Sequence, residues 1–179
     1  MDYNFINEMS TTPRHNHLTS SFLADIFPLF KKKQVYPLQE NCALVFCGRK
    51  MSGEEELIDL SDIEHLDDFV SHVIHEYDFI QPDFLLFQRN KYIQDKYKLK
   101  TAGIPDLVVE VWSKYNKKQE RDMKFRIYSS SDMCEHWYIE QDSNLVTCFK
   151  GKRQLNNQCL SRPLITTTGL KFDLTHMVL

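Results

Sequence analysis

Gly103-Ile104-Pro105-Asp106-Leu107-Val108-Val109-Glu110-Val111-Trp112-Ser113 is the stretch on which the fold turns. Pro105-Asp106 is turn chemistry, and a run rich in β-branched residues follows it, as a buried strand requires. Side chains alternate across a strand. Leu107, Val109 and Val111 therefore share one face and read as core, while Asp106, Val108, Glu110 and Trp112 share the other. Two acids thus lie on one side of a strand otherwise fit for burial. A buried carboxylate is costly unless it is paired, protonated or bound to a metal.

Working outward, Gln81-Pro82-Asp83-Phe84-Leu85-Leu86-Phe87 repeats the pattern of Pro-Asp followed by an apolar strand. Asp83 comes within reach of the other acids if the two strands pair. Two or three carboxylates brought together ask for a divalent cation with oxygen ligands, Mg²⁺ or Mn²⁺. Downstream, residues 116–130 read as a helix with Met123, Ile127 and Tyr128 facing in. Lys124 lies on this helix, where a lysine aimed back over the carboxylates stabilises charge developing on a phosphate. The set suits metal-assisted phosphodiester hydrolysis. The same residues admit a structural reading, with Asp83 and Asp106 as turn residues and Glu110 paired with Lys124 in a buried ion pair.

The flanks complete an alternation of helix and strand. Ser10-Thr11-Thr12-Pro13 suits a helix start, and from His15 the residues Leu18, Phe22, Ile26, Leu29 and Phe30 follow helical spacing to the closing Lys31-Lys32-Lys33. Strand follows over 34–47, broken at Gln39-Glu40-Asn41, then a turn region from Gly48 to Gly53. The apolar spacing then predicts an amphipathic helix over about 61–77, within a stretch, 54–78, that holds ten acidic residues and no Lys or Arg. It carries His65, His72 and His75, which a solvated polar face explains as well as a metal does. Arg89 to Gly103 reads as a long basic loop. His136–Ile139 and Leu145–Phe149 read as a hairpin, with two weak strands over 158–166 and 170–174.

The net charge of −3 hides a division: residues 1–88 carry −9, residues 89–126 carry +6, and the remainder is neutral. The basic middle suits one face of a nucleic-acid site, and a solvated lysine-rich surface accounts for it equally well. Tyr92, Tyr97 and Tyr115, interleaved among the lysines, suit stacking on bases, though surface tyrosines need no such role. The cysteines (Cys42, Cys47, Cys134, Cys148 and Cys159) are odd in number and fit no zinc spacing. They read as reduced thiols, several of them in the core. No run of about 20 apolar residues offers a spanning helix. Met1-Asp2-Tyr3-Asn4-Phe5 lacks a signal pattern, so a cytoplasmic protein with no membrane partner is expected.

The segment 103–113 resembles the signature of the Uma-two family of restriction endonucleases, part of the restriction-endonuclease-like, PD-(D/E)XK superfamily. The resemblance extends to the earlier Pro82-Asp83 strand and to a Lys-x-x-x-Tyr helix, here Lys124 to Tyr128. It takes in Glu135-His136-Trp137-Tyr138-Ile139, the Met9–His15 turn and the closing Gly169-Leu170-Lys171-Phe172-Asp173-Leu174. It covers nearly the whole chain apart from about 49–78. The chain departs from the family at Ser113-Lys114-Tyr115-Asn116, where Ser-Pro-Ser-Thr is usual, at Asp132-Met133 and at Glu140. Trp112 stands where the superfamily usually has its lysine.

What the resemblance implies is an α/β, restriction-endonuclease-like core with a central mixed β-sheet flanked by helices. It would form one domain over 1–179 with an acidic helical insert at about 49–78. The implied activity is a Mg²⁺- or Mn²⁺-dependent endonuclease acting on nucleic acid, DNA foremost. Asp83 and Glu110 would hold the metal, Asp106 would be a further ligand, Lys124 would take the lysine's role and His15 would line the site. Lys96, Lys98, Lys100, Lys114, Lys117, Lys118 and Arg121 would carry the nucleic-acid backbone. A homodimer is expected. The rival expectation is an inactive interaction protein on the same fold, whose acidic insert binds a basic partner or covers the groove.

Overall fold

The structure is a computed structural model and describes residues 12–31, 35–39, 43–50, 77–88, 92–95 and 100–178. The elements in order are α1 (Pro13–Lys31), β1 (Val35–Gln39), β2 (Ala43–Lys50), β3 (Tyr77–Ile80), β4 (Phe84–Gln88), β5 (Tyr92–Asp95), β6 (Lys100–Gly103) and β7 (Leu107–Trp112). There follow α2 (Lys118–Tyr128), β8 (Glu135–Glu140), β9 (Leu145–Lys150), four two-residue strands β10 to β13 (Arg153–Gln154, Gln158–Cys159, Leu164–Ile165, Lys171–Phe172) and a 3₁₀ turn, Thr175–Met177.

The main sheet has seven strands in the order β1-β4-β7-β8-β9-β10, with β11 also on β9. It is mixed: β4 runs antiparallel to β7, β7 parallel to β8, and β8 antiparallel to β9. The parallel pair needs a crossover, and α2 is that crossover. Pro37 pairs with Leu86 from β1, which is an outer strand of this sheet among the described residues, the place where a sheet tolerates proline.

The alternation along β7 sorts two cores. Leu107, Val109 and Val111 pack with Leu18, Phe22 and Ile26 of α1 and with Trp137 and Ile139 of β8. Val108 packs on the opposite face with Leu85, Phe87, Ile127, Tyr128 and Tyr138. The helices thus flank the sheet on both faces. Thr12 caps α1 through Oγ1, which accepts from the His15 N–H at 3.1 Å, with Pro13 at the first helical position.

Several expectations need correction. The basic stretch from Arg89 to Gly103 is not a continuous loop, because it contains β5 and β6 in a second sheet ordered β3-β2-β6-β5. That sheet is sealed by a parallel pairing of β6 with the distant β2, which local sequence cannot signal. Gly48 to Lys50 continue β2 instead of turning, and Tyr77 begins β3 instead of ending a helix. The rest of the acidic helix, with His65, His72 and His75, lies outside the described residues. Among the described cysteines, Cys134 and Cys148 are buried and Cys159 is exposed, all three free. Among the described residues no helix is long and apolar enough to cross a membrane.

Candidate metal and phosphodiester site

The antiparallel register of β4 and β7 pairs Phe84 with Val109. One step outward, Asp83 therefore stands across from Glu110. Asp83 Oδ2 accepts the Val111 backbone N–H at 2.6 Å, and its Oδ1 lies 3.0 Å from His15 Nε2. His15 reaches it from the first turn of α1. That turn is pinned to the sheet because the Thr12 hydroxyl donates to Gln141 Oε1 at 2.6 Å, and the Gln141 N–H donates to the Trp112 carbonyl at 2.8 Å.

Glu110 is 1% exposed. Its Oε2 lies 2.7 Å from Lys124 Nζ, and its Oε1 accepts from the Tyr128 hydroxyl. Lys124 and Tyr128 are four apart on α2, so they stack on one helix face and grip both oxygens of a single carboxylate. Lys124 is itself buried; it also donates to the Gln81 carbonyl at 3.3 Å and lies 3.9 Å from Glu120 Oε1. Burial pushes the Glu110 carboxyl up to about 7, with Lys124 opposing and Asp83 adding to the rise. Burial also works against a charged Lys124, but Glu110 and Asp83 outweigh it and raise its pKa. Burial, and then the adjacent Glu110, push the Tyr128 hydroxyl well up.

The structure does not bring Asp106 to this cluster. Four residues of strand put its Cα roughly 13 Å from that of Glu110. It marks the other end of β7, where its N–H donates to the Leu86 carbonyl at 2.9 Å and its carbonyl accepts from Glu135 at 3.2 Å. Burial, and then the nearby Asp106, push the Cys134 thiol well up. Among the described residues no three of His, Cys, Asp and Glu are arranged to enclose an ion. What remains is a pair of carboxylates from neighbouring strands. Such a donor set suits a hard divalent cation that keeps several waters and takes phosphate oxygens, and does not suit an all-protein cage.

Of the basic residues, Lys114, Lys117 and Lys118 are exposed. Arg121 is committed elsewhere: Nη1 pairs with Glu140 Oε1 at 2.6 Å, Nη2 donates to the Ser113 carbonyl, and the guanidinium lies 4.6 Å from the Trp112 ring centre. Lys96 and Lys98, and the side chain of Lys100, lie outside the described residues. Trp112, in the superfamily lysine's usual place, stacks on Tyr138 at 4.1 Å. Sequence reasoning placed Tyr128 in the core but missed its hydroxyl as a partner of Glu110. The four-residue spacing from Lys124 was the available signal.

The sheet order, the helices on both faces and the paired acids define a restriction-endonuclease-like α/β protein. Residues 68–174, more than half of the chain, match the Uma2 family, described as "Putative restriction endonuclease", and the chain belongs to that family. Among solved structures it resembles a crystal structure described as a putative nuclease belonging to DUF820 from Anabaena variabilis. The TM-score is 0.58 at 10% identity, over 96% of this chain and 83% of the other. No curated protein matches it in sequence.

Proposed function

We propose that this chain is a metal-dependent endonuclease hydrolysing phosphodiester bonds of nucleic acid, DNA foremost. The observation that carries the reading is the convergence of Asp83 and Glu110 from paired strands with Lys124, whose Nζ lies 2.7 Å from Glu110. A Mg²⁺ or Mn²⁺ ion held by these two acids would supply a water of lowered pKa and neutralise the scissile phosphate. The chain's own part is positioning. The Val111 N–H and His15 orient Asp83, and Lys124 and Tyr128 orient Glu110. Lys124 also brings a fixed positive charge to the place where phosphate charge builds.

A second reading, an inactive interaction protein, draws on the same geometry. All four oxygens of Asp83 and Glu110 already have a protein neighbour, as a self-neutralised cluster would. Calorimetry with Mn²⁺ and Mg²⁺, run beside plasmid nicking for the wild type, Asp83→Asn and Glu110→Gln, separates the two. Binding and nicking that vanish together in both variants support the nuclease. A wild type that binds no metal and nicks nothing overturns it.

A further inference from the structure

Tyr115 is 79% exposed, the highest value among the large apolar side chains described. It sits on the 113–117 loop, which joins the strand bearing Glu110 to the helix bearing Lys124 and leaves β7 at the same end of the sheet as Asp83. The loop is held in one shape. Asn116, buried, accepts the Ser113 N–H through Oδ1 at 2.7 Å and returns its own N–H to the Ser113 carbonyl at 3.1 Å. The Tyr115 N–H donates to Ser113 Oγ at 3.2 Å, and Arg121 braces the Ser113 carbonyl from α2.

An exposed ring gains nothing from burial, and the braced loop has met its backbone ordering cost before any partner arrives. Its neighbours are cations. Lys114 Nζ lies 5.3 Å from the ring centre, and Lys117 and Lys118, two and three residues further on, are exposed. Lys117, at the N-cap of α2, supplies no capping side chain. Glu120, the acid in the first turn of that helix, lies 3.9 Å from Lys124.

We propose that Tyr115 is a stacking platform for an unpaired nucleobase next to the scissile bond, with Lys114, Lys117 and Lys118 holding the flanking phosphates. The inference rests on the nuclease reading and narrows it: the strand engaged here is single or locally unpaired. An aromatic face with neighbouring cations is the chemistry by which single strands are held without sequence preference. A duplex with all its bases stacked has no face to offer the ring.

The test is fluorescence anisotropy in EDTA, using labelled 15-mer oligothymidylate, oligouridylate and a DNA duplex of equal length. Tyr115→Ala weakens single-strand binding by about 5- to 150-fold, the range a single base–aromatic stack is worth, and leaves duplex binding unchanged. Tyr115→Trp binds near wild-type level, and its added indole emission is quenched by the oligonucleotide. Lys114→Ala lowers the salt dependence of binding by roughly one phosphate contact. Tyr115→Ala binding within twofold of the wild type overturns the inference while leaving the nuclease reading intact. So does an equal loss on duplex and single strand, or a variant that only dissociates a dimer in sedimentation. A wild type that binds none of the three probes and nicks no plasmid overturns both.

Discussion

Lys124→Met leaves Glu110 1% exposed and without the cation now 2.7 Å away. Removing one member of a buried pair costs roughly 3–5 kcal/mol, because an uncompensated charge stays behind. Here the cost depends on pH. Burial already pushes Glu110 from 4.5 to about 7 with Lys124 in place, and loss of the lysine drives it higher. Between 4.5 and that raised value the folded variant takes up a proton that the unfolded chain does not. Its stability therefore rises as pH falls, at up to about 1.4 kcal/mol per unit. The expected loss is about 3–5 kcal/mol at pH 8.5 and about 2 kcal/mol smaller at pH 5.5, because the two proteins differ in Glu110 protonation only above about 7 and both hold it neutral well below that. Urea denaturation followed through Trp112 and Trp137 measures it. The double variant Glu110→Gln/Lys124→Met should recover about 2 kcal/mol or more at pH 8.5. A loss equal at both pH values, or a double variant as unstable as the two singles summed, would refute the reasoning.

Other consequences follow from the same packing. Tyr128→Phe keeps the buried ring and removes the donor to Glu110 Oε1; Mn²⁺ affinity by calorimetry should fall about 10- to 100-fold with little change in melting temperature, and an unchanged affinity would leave the hydroxyl no orienting role. His136 Nε2 faces the Gly151 carbonyl at 2.9 Å and Nδ1 the Tyr138 hydroxyl at 2.8 Å, so Nε2 carries the proton and Nδ1 accepts. Burial, against a smaller opposing effect of the Gly151 carbonyl, pushes His136 down to about 4. The unfolded chain protonates it from about 6.5, so stability is lost as pH falls from 6.5 toward 4, by up to about 3 kcal/mol; an NMR titration midpoint near 6.5 would contradict this. Glu135 is buried and accepts from Trp137 Nε1 and from both the N–H and the hydroxyl of Thr167. Glu135→Ala should cost about 2–4 kcal/mol and raise hydrogen exchange in the 166–170 turn, and full protection there would show that the carboxylate is not what holds it.

The sequence by itself determined whatever depends on local period and chain order. A six-residue run rich in β-branched residues after Pro-Asp reads as a buried strand, and the alternation of a strand separates Leu107, Val109 and Val111 from Glu110. The spacing of Leu18, Phe22 and Ile26 likewise commits α1 to one packing face. Asp83, Glu110 and Lys124 were legible because an acid or a lysine on such an element demands an explanation. Only the tertiary structure decided what depends on register and contact. The antiparallel pairing of β4 with β7 sets Asp83 across from Glu110 and leaves Asp106 at the far end of the strand. One residue of slip would have turned each side chain to the opposite face. Arg121 counted as a free cation until Glu140 and the Ser113 carbonyl, supplied by other elements, took its guanidinium. Strands β5 and β6 were hidden for the same reason. Their composition reads as a basic loop, and only pairing with β2, more than fifty residues earlier in the chain, makes them a sheet. Period is a property of neighbours in sequence; register and ion pairing are properties of neighbours in space.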